Sequence, residues 1–110
     1  MGFRTQAEED ALETMSLDEY LIENKEATFM MRASGDSMRG EGIFRGDLLI
    51  VDRSRSPHDG NIVIAVHDGA FRMARFDSRI GGAGPVRADL AVGSELSIEA
   101  VVTAVIRKLV

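Results

Sequence analysis

The residues best placed to do chemistry lie at a sharp break after an apolar run. The run from Thr28 to Ala33 is followed by Ser34-Gly35-Asp36-Ser37-Met38. A serine among small residues just after a strand can present a nucleophilic hydroxyl, and nearby backbone N–H groups can stabilise an oxyanion. The same residue types are also common in polar turns. Spacing alone therefore favours a plain polar turn over a nucleophile at Ser37.

The elements around this break are mostly short strands. Ser16 and Glu19 have the spacing of a capping box, which predicts a short helix from Ser16 to Asn24. The segment His67-Asp68-Gly69 predicts a tight hairpin, because Asp-Gly supplies the positive φ angles that such turns require. Apolar runs predict strands at Thr28–Ala33, Leu48–Val51, Ile62–Val66, Phe71–Phe76 and Val101–Ile106. Together these elements predict a mostly-β domain with one helix ahead of it.

The chain has the length and composition of one globular domain. Its 110 residues are 45% hydrophobic and 28% charged. We expect residues 1–14, which are acidic and lack a clear period, to form a mobile N-terminal arm, and residues 15–110 to form the domain. The run Gly81-Gly82-Ala83-Gly84-Pro85 predicts a loop without regular structure.

Composition also excludes several classes of function. The chain has 13 basic and 18 acidic residues and a net charge of −5, which argues against a free-standing DNA-wrapping module. The absence of cysteine excludes disulfides, thiolate metal sites and thiol catalysis. No apolar run approaches the roughly 18–20 residues of a membrane span, and the first residues lack the apolar core of a signal peptide. We therefore expect a cytoplasmic protein that contacts neither membrane nor nucleic acid directly. No metal or other cofactor is expected, because no His/Asp/Glu cluster has ligand spacing.

Two motifs carry a resemblance to a known family. They are Gly35-Asp36-Ser37-Met38 and Gly46-Asp47-Leu48-Leu49-Ile50-Val51-Asp52, and the strand Gly60-Asn61-Ile62-Val63-Ile64-Ala65 follows them. Together they resemble the LexA/UmuD family of self-cleaving serine–lysine peptidases, the peptidase S24-like proteins. The likeness is closest to UmuD, because the sequence ahead of the motifs has no room for the helix-turn-helix of a repressor. The resemblance implies a bent β-sheet assembly like the LexA/UmuD C-terminal domain, with Ser37 as the nucleophile and the N–H groups of Ser37 and Met38 as the oxyanion hole.

The same resemblance locates the position of the catalytic base. In this family a buried, neutral lysine activates the serine, since desolvation lowers the pKa of a lysine. The lysine lies three residues beyond the aromatic residue that corresponds to Phe71, and that position holds Ala74. Arg72 and Arg75 cannot replace the lysine, because arginine does not deprotonate near neutral pH. The other candidate bases do not match the motif; they are Lys25, Lys108, His58 and His67. The resemblance therefore implies that the base is lost and that Ser37 is not activated.

Two departures from the family bear on this conclusion. Ala74 is either native, in a degenerate peptidase kept for its binding surface, or engineered to silence an active one. The start Met1-Gly2-Phe3 looks like an initiator methionine ahead of the glycine that follows the cleavage site in UmuD-type proteins. On that interpretation the chain resembles the already processed form, UmuD′. The alternative is that Gly2 is merely a common second residue.

The resemblance also implies a function and partners. It implies a homodimeric accessory subunit of an error-prone Y-family translesion DNA polymerase in the SOS response to DNA damage, with the RecA filament and the sliding clamp as further partners. The acidic stretch from Glu8 to Asp18 is a candidate partner contact, although it can equally be an inert solvated arm. Val101, Thr103 and Val105 could line a dimer face, but a place in the core is favoured. The alternative functions are an active self-cleaving peptidase whose base was mutated, and the C-terminal dimerisation and autoproteolysis domain of a LexA or phage repressor.

Overall fold

Among the residues that the structure describes, one antiparallel sheet is preceded by a short helix. The computed structural model describes residues 13–77, 85–86 and 97–110. The helix and strands are α1 (Leu17–Leu21), β1 (Thr28–Arg32), β2 (Leu48–Asp52), β3 (Ile62–His67), β4 (Ala70–Phe76), β5 (Pro85–Val86) and β6 (Ser97–Ile106). Single turns of 3-10 helix occupy Lys25–Ala27 and Arg39–Glu41. The mostly-β class and the short N-terminal helix predicted from the sequence are confirmed.

The last strand lies in the middle of the sheet. The strand order is β1-β2-β6-β3-β4-β5, and every neighbouring pair is antiparallel. The pairing of β6 shifts register opposite Ile50/Val51 on one side and opposite Ile64/Ala65 on the other. Such irregularities bend a strand and increase its twist. The bent sheet implied by the family resemblance therefore has its bends along its central strand.

The hairpin between β3 and β4 forms as predicted. Asp68 and Gly69 both have positive φ angles, 52° and 76°. Two successive residues with positive φ match the right-handed twist of the flanking strands, and glycine adopts this conformation without steric cost. The turn sets the register in which Val63 faces Ala74 across the hairpin.

The helix is shorter than the sequence predicts. Its capping box is present, because the Ser16 side chain accepts a hydrogen bond from the Glu19 N–H and the Glu19 carboxylate accepts one from the Ser16 N–H. The helix ends at Leu21 and not near Asn24, since Ile22 has the extended angles φ −117° and ψ 109°. None of the residues of α1 is fully buried, so little apolar packing supports a longer helix.

Two apolar clusters cover opposite faces of the sheet. Side chains alternate along a strand, and the adjacent residues Val63 and Ile64 belong to different clusters. The larger cluster contains Ala33, Met38, Ile43, Leu49, Val51, Ile64 and Ala100. The smaller one contains Val63, Ala74, Phe76 and Val101. Met38, which follows the predicted nucleophile, and Ala74, at the predicted position of the base, therefore pack on different faces of the sheet.

Some sequence expectations are corrected, and others lie outside the described residues. Pro85 does not belong to a loop: it starts the two-residue strand β5, whose backbone pairs with the end of β4. Val101 is buried, as favoured, but Thr103 and Val105 are exposed, because the register shift in β6 breaks the alternation. Residues 1–12 of the predicted arm and the glycine-rich run 81–84 lie outside the described residues, and the boundary at residue 15 stays a prediction. In the described ranges, no helix is long and apolar enough to span a membrane.

Candidate functional site

Ser37 lies in a loop whose two ends are joined by the backbone. The loop leads from β1 to β2, and its base is closed by two hydrogen bonds: the Ala33 N–H donates to the Asp47 carbonyl over 2.9 Å, and the Gly46 N–H donates to the Ala33 carbonyl over 2.7 Å. Ser37 is exposed, and its hydroxyl has no hydrogen-bond partner among the described residues. The loop thus presents the serine to solvent, as a nucleophile or a simple turn residue would require.

The residue after Ser37 anchors the loop. The Met38 side chain is 5% exposed and packs in the larger apolar cluster. Its carbonyl accepts hydrogen bonds from the Glu41 N–H over 2.9 Å and from the Ile43 N–H over 3.1 Å. The N–H groups of Ser37 and Met38 donate to no atom within the described ranges. Their use as an oxyanion hole stays a prediction that this geometry permits.

Position 74 holds a methyl group in a closed apolar environment. Ala74 is 0% exposed and packs in the smaller cluster with Val63, Phe76 and Val101. An alanine side chain carries no group that accepts a proton. The residue therefore fills the core at the position where the family resemblance implies a base.

The structure places none of the other candidate bases in contact with Ser37. Arg72 and Arg75 are exposed on β4, and Lys25 and Lys108 are exposed as well. The two histidines make contacts within their own turns: the His58 N–H donates to Asn61 Oδ1 over 2.8 Å, and His67 Nδ1 lies 3.7 Å from Asp68. In residues 13–77 and 97–110, none of these side chains is a hydrogen-bond partner of Ser37, and no cluster of three potential metal-ligating side chains occurs.

An ion pair between a buried aspartate and a half-exposed arginine, which the sequence did not single out, holds the far end of the Ser37 loop. The Asp47 side chain is 3% exposed, and Arg107 reaches it from beyond β6 with Nε at 2.7 Å and Nη2 at 2.6 Å. The Phe44 N–H donates to the same carboxylate over 2.8 Å. These donors, first Arg107 and then Phe44, lower the pKa of Asp47 to about 2.

Arg107 also contacts the loop outside the carboxylate. Its Nη2 donates to the Gly42 carbonyl over 3.0 Å, and its guanidinium lies 4.5 Å from the centre of the Phe44 ring. One side chain thus joins three points of the loop to the end of β6. The signal in the sequence for this ion pair is a charged residue, Asp47, directly ahead of a buried strand. Its partner lies 60 residues later and could not be found from local spacing.

The second buried aspartate, Asp52, holds the segment that follows α1. Asn24 Nδ2 donates to Asp52 over 3.0 Å, and the Ser54 N–H and hydroxyl donate over 2.8 and 2.6 Å. These hydrogen bonds, with Asn24 first, lower the pKa of Asp52 to about 2. Arg55 lies between Asp52 (3.3 Å) and Glu23 (3.1 Å). The segment that follows α1 is thereby tied to the end of β2.

Comparison with known proteins identifies the family of the chain. The sequence profile of the family described as Peptidase S24-like matches residues 1–84. The chain belongs to the peptidase S24-like family. Over 74 residues it is 46% identical to Protein ImpA of Salmonella typhimurium, a match that covers 67% of this chain and 51% of the relative. It is 43% identical to Protein SamA of the same species over 74 residues, covering 67% and 53%. The LexA repressor of Carboxydothermus hydrogenoformans is 39% identical over 75 residues, covering 68% and 36%.

The resemblance to the UmuD/LexA family is therefore confirmed. The chain spans about half the length of the curated relatives ImpA and SamA. The family match includes both the Ser37 loop and Ala74. Arg107, which holds that loop, lies outside the matched residues.

Proposed function

We propose that this protein is a UmuD′-like accessory subunit of a Y-family translesion DNA polymerase in the SOS response, and that it acts through protein–protein recognition without self-cleavage. The observation that carries the proposal is Ala74. A fully buried methyl group occupies the position of the family's lysine, so the fold is kept while the base is absent. Membership of the peptidase S24-like family and the similarity to ImpA and SamA support the choice of scaffold.

The partners follow from the family resemblance and belong to the same proposal. They are a second copy of the chain, the polymerase catalytic subunit, the RecA filament and the sliding clamp, and a protein that works with them is cytoplasmic. Residues 15–110 would provide the scaffold and the acidic residues 1–14 the arm. The exposed Ser37 would then be a remnant of the peptidase site.

Co-purification tests the proposal. The chain, with and without the stretch Glu8–Asp18, is mixed with the Y-family polymerase encoded in its source genome. Capture that needs this stretch supports the accessory role and assigns the contact to the N-terminal arm. Capture without it keeps the role and assigns the contact to the sheet domain. Failure of both forms to bind the polymerase, in a chain that is still folded and dimeric, contradicts the accessory role.

The second candidate function is an active self-cleaving peptidase whose lysine was replaced. It is favoured by the exposure of Ser37 and by the backbone N–H groups of Ser37 and Met38, which donate to no described atom. Ala74→Lys should then cleave a supplied arm peptide, and the double variant Ala74→Lys/Ser37→Ala should not. A folded Ala74→Lys variant that leaves the peptide intact contradicts this second function.

A further inference from the structure

The N-terminal segment, residues 13–23, exposes an apolar and acidic surface. Three apolar side chains are largely in solvent: Met15 is 63% exposed, Leu17 72% and Tyr20 70%. Four exposed carboxylates lie among them, on Glu13, Asp18, Glu19 and Glu23. A five-residue helix is not stable through its own hydrogen bonds, and α1 buries none of its residues. Leu21 and Ile22 are half-buried, but the three exposed apolar side chains are left without cover in the described chain.

A second surface on the same molecule has the opposite charge. A groove of about 640 Å³ lies where β1 ends and β2 begins, next to the end of β6. We call it the basic groove. Its apolar lining comes from Phe44, Leu48 and Ile106, and its cationic lining comes from Arg32, Arg45, Arg107 and Lys108.

Two of these cations have no acidic partner in the part of the chain that the structure describes. Arg107 is paired with Asp47, and Arg45 lies 3.3 Å from Asp36. Arg32 donates to the Gly46 carbonyl over 3.1 Å. Within the described ranges, no carboxylate lies at ion-pair distance from Arg32 or Lys108. A chain with a net charge of −5 thus keeps a local positive surface beside an apolar lining.

The two surfaces lie at opposite ends of β2. Asn24 ties the N-terminal segment to Asp52, the last residue of β2, whereas Leu48, the first residue, lines the groove. Four strand steps of about 3.4 Å separate these ends by roughly 14 Å. The segment does not bury its apolar side chains against its own groove. In a two-fold pair, each copy can offer its segment and accept the other, which forms two equal contacts and closes the assembly.

We propose that the N-terminal segment of one copy docks in the basic groove of a second copy, and that this exchange forms the dimer interface. Leu17 and Tyr20 would cover Phe44 and Ile106. The carboxylates of Glu13 and Asp18 would face Arg32 and Lys108, since Glu19 belongs to the capping box and Glu23 is paired with Arg55. The inference rests on the homodimer in the proposed function and specifies how that dimer is built.

Charge exchange tests the interface. The groove variant is Arg32→Glu/Lys108→Glu, and the segment variant is Glu13→Lys/Asp18→Lys, which leaves the capping box intact. The matched control is Arg72→Glu/Arg75→Glu, which makes the same charge change at two exposed positions of β4. If the groove variant does not fold, Lys108→Glu alone replaces it, because Lys108 is exposed and has no ion-pair partner in the described chain. Sedimentation equilibrium at low ionic strength, where charges are least screened, measures dimerisation.

The expected results require that the N-terminal segment and the basic groove contact each other. Each variant alone should raise the dimer dissociation constant by about tenfold or more, since it places like charges opposite each other, and the control should leave it unchanged. An equimolar mixture of the groove and segment variants should dimerise again, because each groove then faces a segment of opposite charge. A mixture that does not associate overturns the pairing.

The other outcomes separate this inference from the proposed function. If both variants dimerise like the unmodified chain, the interface lies elsewhere and the proposed dimer stands. If the unmodified chain is a monomer at all concentrations, both the interface and the proposed dimer are wrong. If the groove variant loses binding of a fluorescent oligodeoxythymidine but dimerises normally, the groove binds nucleic acid and the interface is overturned.

Discussion

Introducing the family's lysine at position 74 should produce a large and pH-dependent loss of stability. Ala74 is 0% exposed, and its cluster partners Val63, Phe76 and Val101 are all apolar. The extra side-chain volume of Ala74→Lys should cost about 1–3 kcal/mol through overpacking, and Ala74→Met shares this cost. The comparison of these two variants therefore isolates the effect of the ammonium group.

The charge contribution follows from burial. Apolar surroundings lower the pKa of a buried lysine by up to about 3–5 units, and each unit corresponds to about 1.36 kcal/mol. We take roughly 2–4 units, because the flexible side chain can move its ammonium group part of the way towards water. Ala74→Lys should then be about 3–5 kcal/mol less stable than Ala74→Met at pH 7. Since the folded-state pKa lies below the unfolded value of about 10.4, the penalty should shrink as pH rises and vanish above pH ~10.4.

Urea unfolding from pH 7 to 10.5, followed by circular dichroism, measures this difference. Ala70→Lys is the matched control, because Ala70 is exposed on the same strand and the same face, and its stability relative to Ala70→Met should not depend on pH. Complete unfolding of Ala74→Lys at pH 7, with Ala74→Met folded, agrees with the reasoning. Equal stability of the two Ala74 variants across the pH range would refute it and would show that water reaches position 74.

Three further predictions concern the contacts that hold the sheet and the Ser37 loop. Val63→Ala removes two buried methyl equivalents at a site with 0% exposure, so urea unfolding should show that the free energy of unfolding falls by about 2–3 kcal/mol. Val105→Ala, at an exposed site, should lower it by less than about 1 kcal/mol. Similar losses in the two variants would contradict the assigned core. The pKa of Asp52 is lowered to about 2 from 3.8, so its stabilisation is complete above pH ~4 and should be lost as pH falls towards 2. Asp52→Asn should flatten this acid limb of the stability curve, whereas Asp36→Asn, at an exposed site, should flatten it less; an unchanged limb in Asp52→Asn argues against the hydrogen bonds assigned to it. Arg107→Met should speed amide hydrogen exchange in residues 42–47 relative to the unmodified chain, without changing exchange in the β3–β4 hairpin. If the substitution leaves exchange in residues 42–47 unchanged, or speeds it equally in both regions, Arg107 does not specifically hold the loop.

Local signals accounted for the elements that depend on near neighbours. The capping box at Ser16 and Glu19 and the Asp68-Gly69 turn are decided by residues within three positions of each other, so spacing alone predicts them. The apolar runs likewise predicted the strands to within a residue or two, apart from β5 and β6. Pro85 in β5 was predicted to lie in a loop, and the first residues of β6 precede the predicted start. The exposed position of Ser37 follows from the small and polar residues that end β1.

The tertiary structure decided what depends on distant residues. The sequence predicted a helix through Asn24, but the chain turns to extended angles at Ile22, and Asn24 instead donates to Asp52. No local pattern could reveal that β6 inserts between β2 and β3, since strand pairing is chosen by contacts far apart in the chain. The same holds for Asp47 and Arg107.

The position of the family's catalytic lysine illustrates both what residue type decides and what tertiary packing decides. The sequence by itself determined that position 74 carries no base, because this is a matter of residue type. Only the tertiary structure decided that Ala74 lies fully buried on one face of the sheet, while Met38, beside Ser37, packs on the other. Residue type sets which chemistry is possible, but burial and reach arise from the packing of the whole sheet, which no short segment encodes.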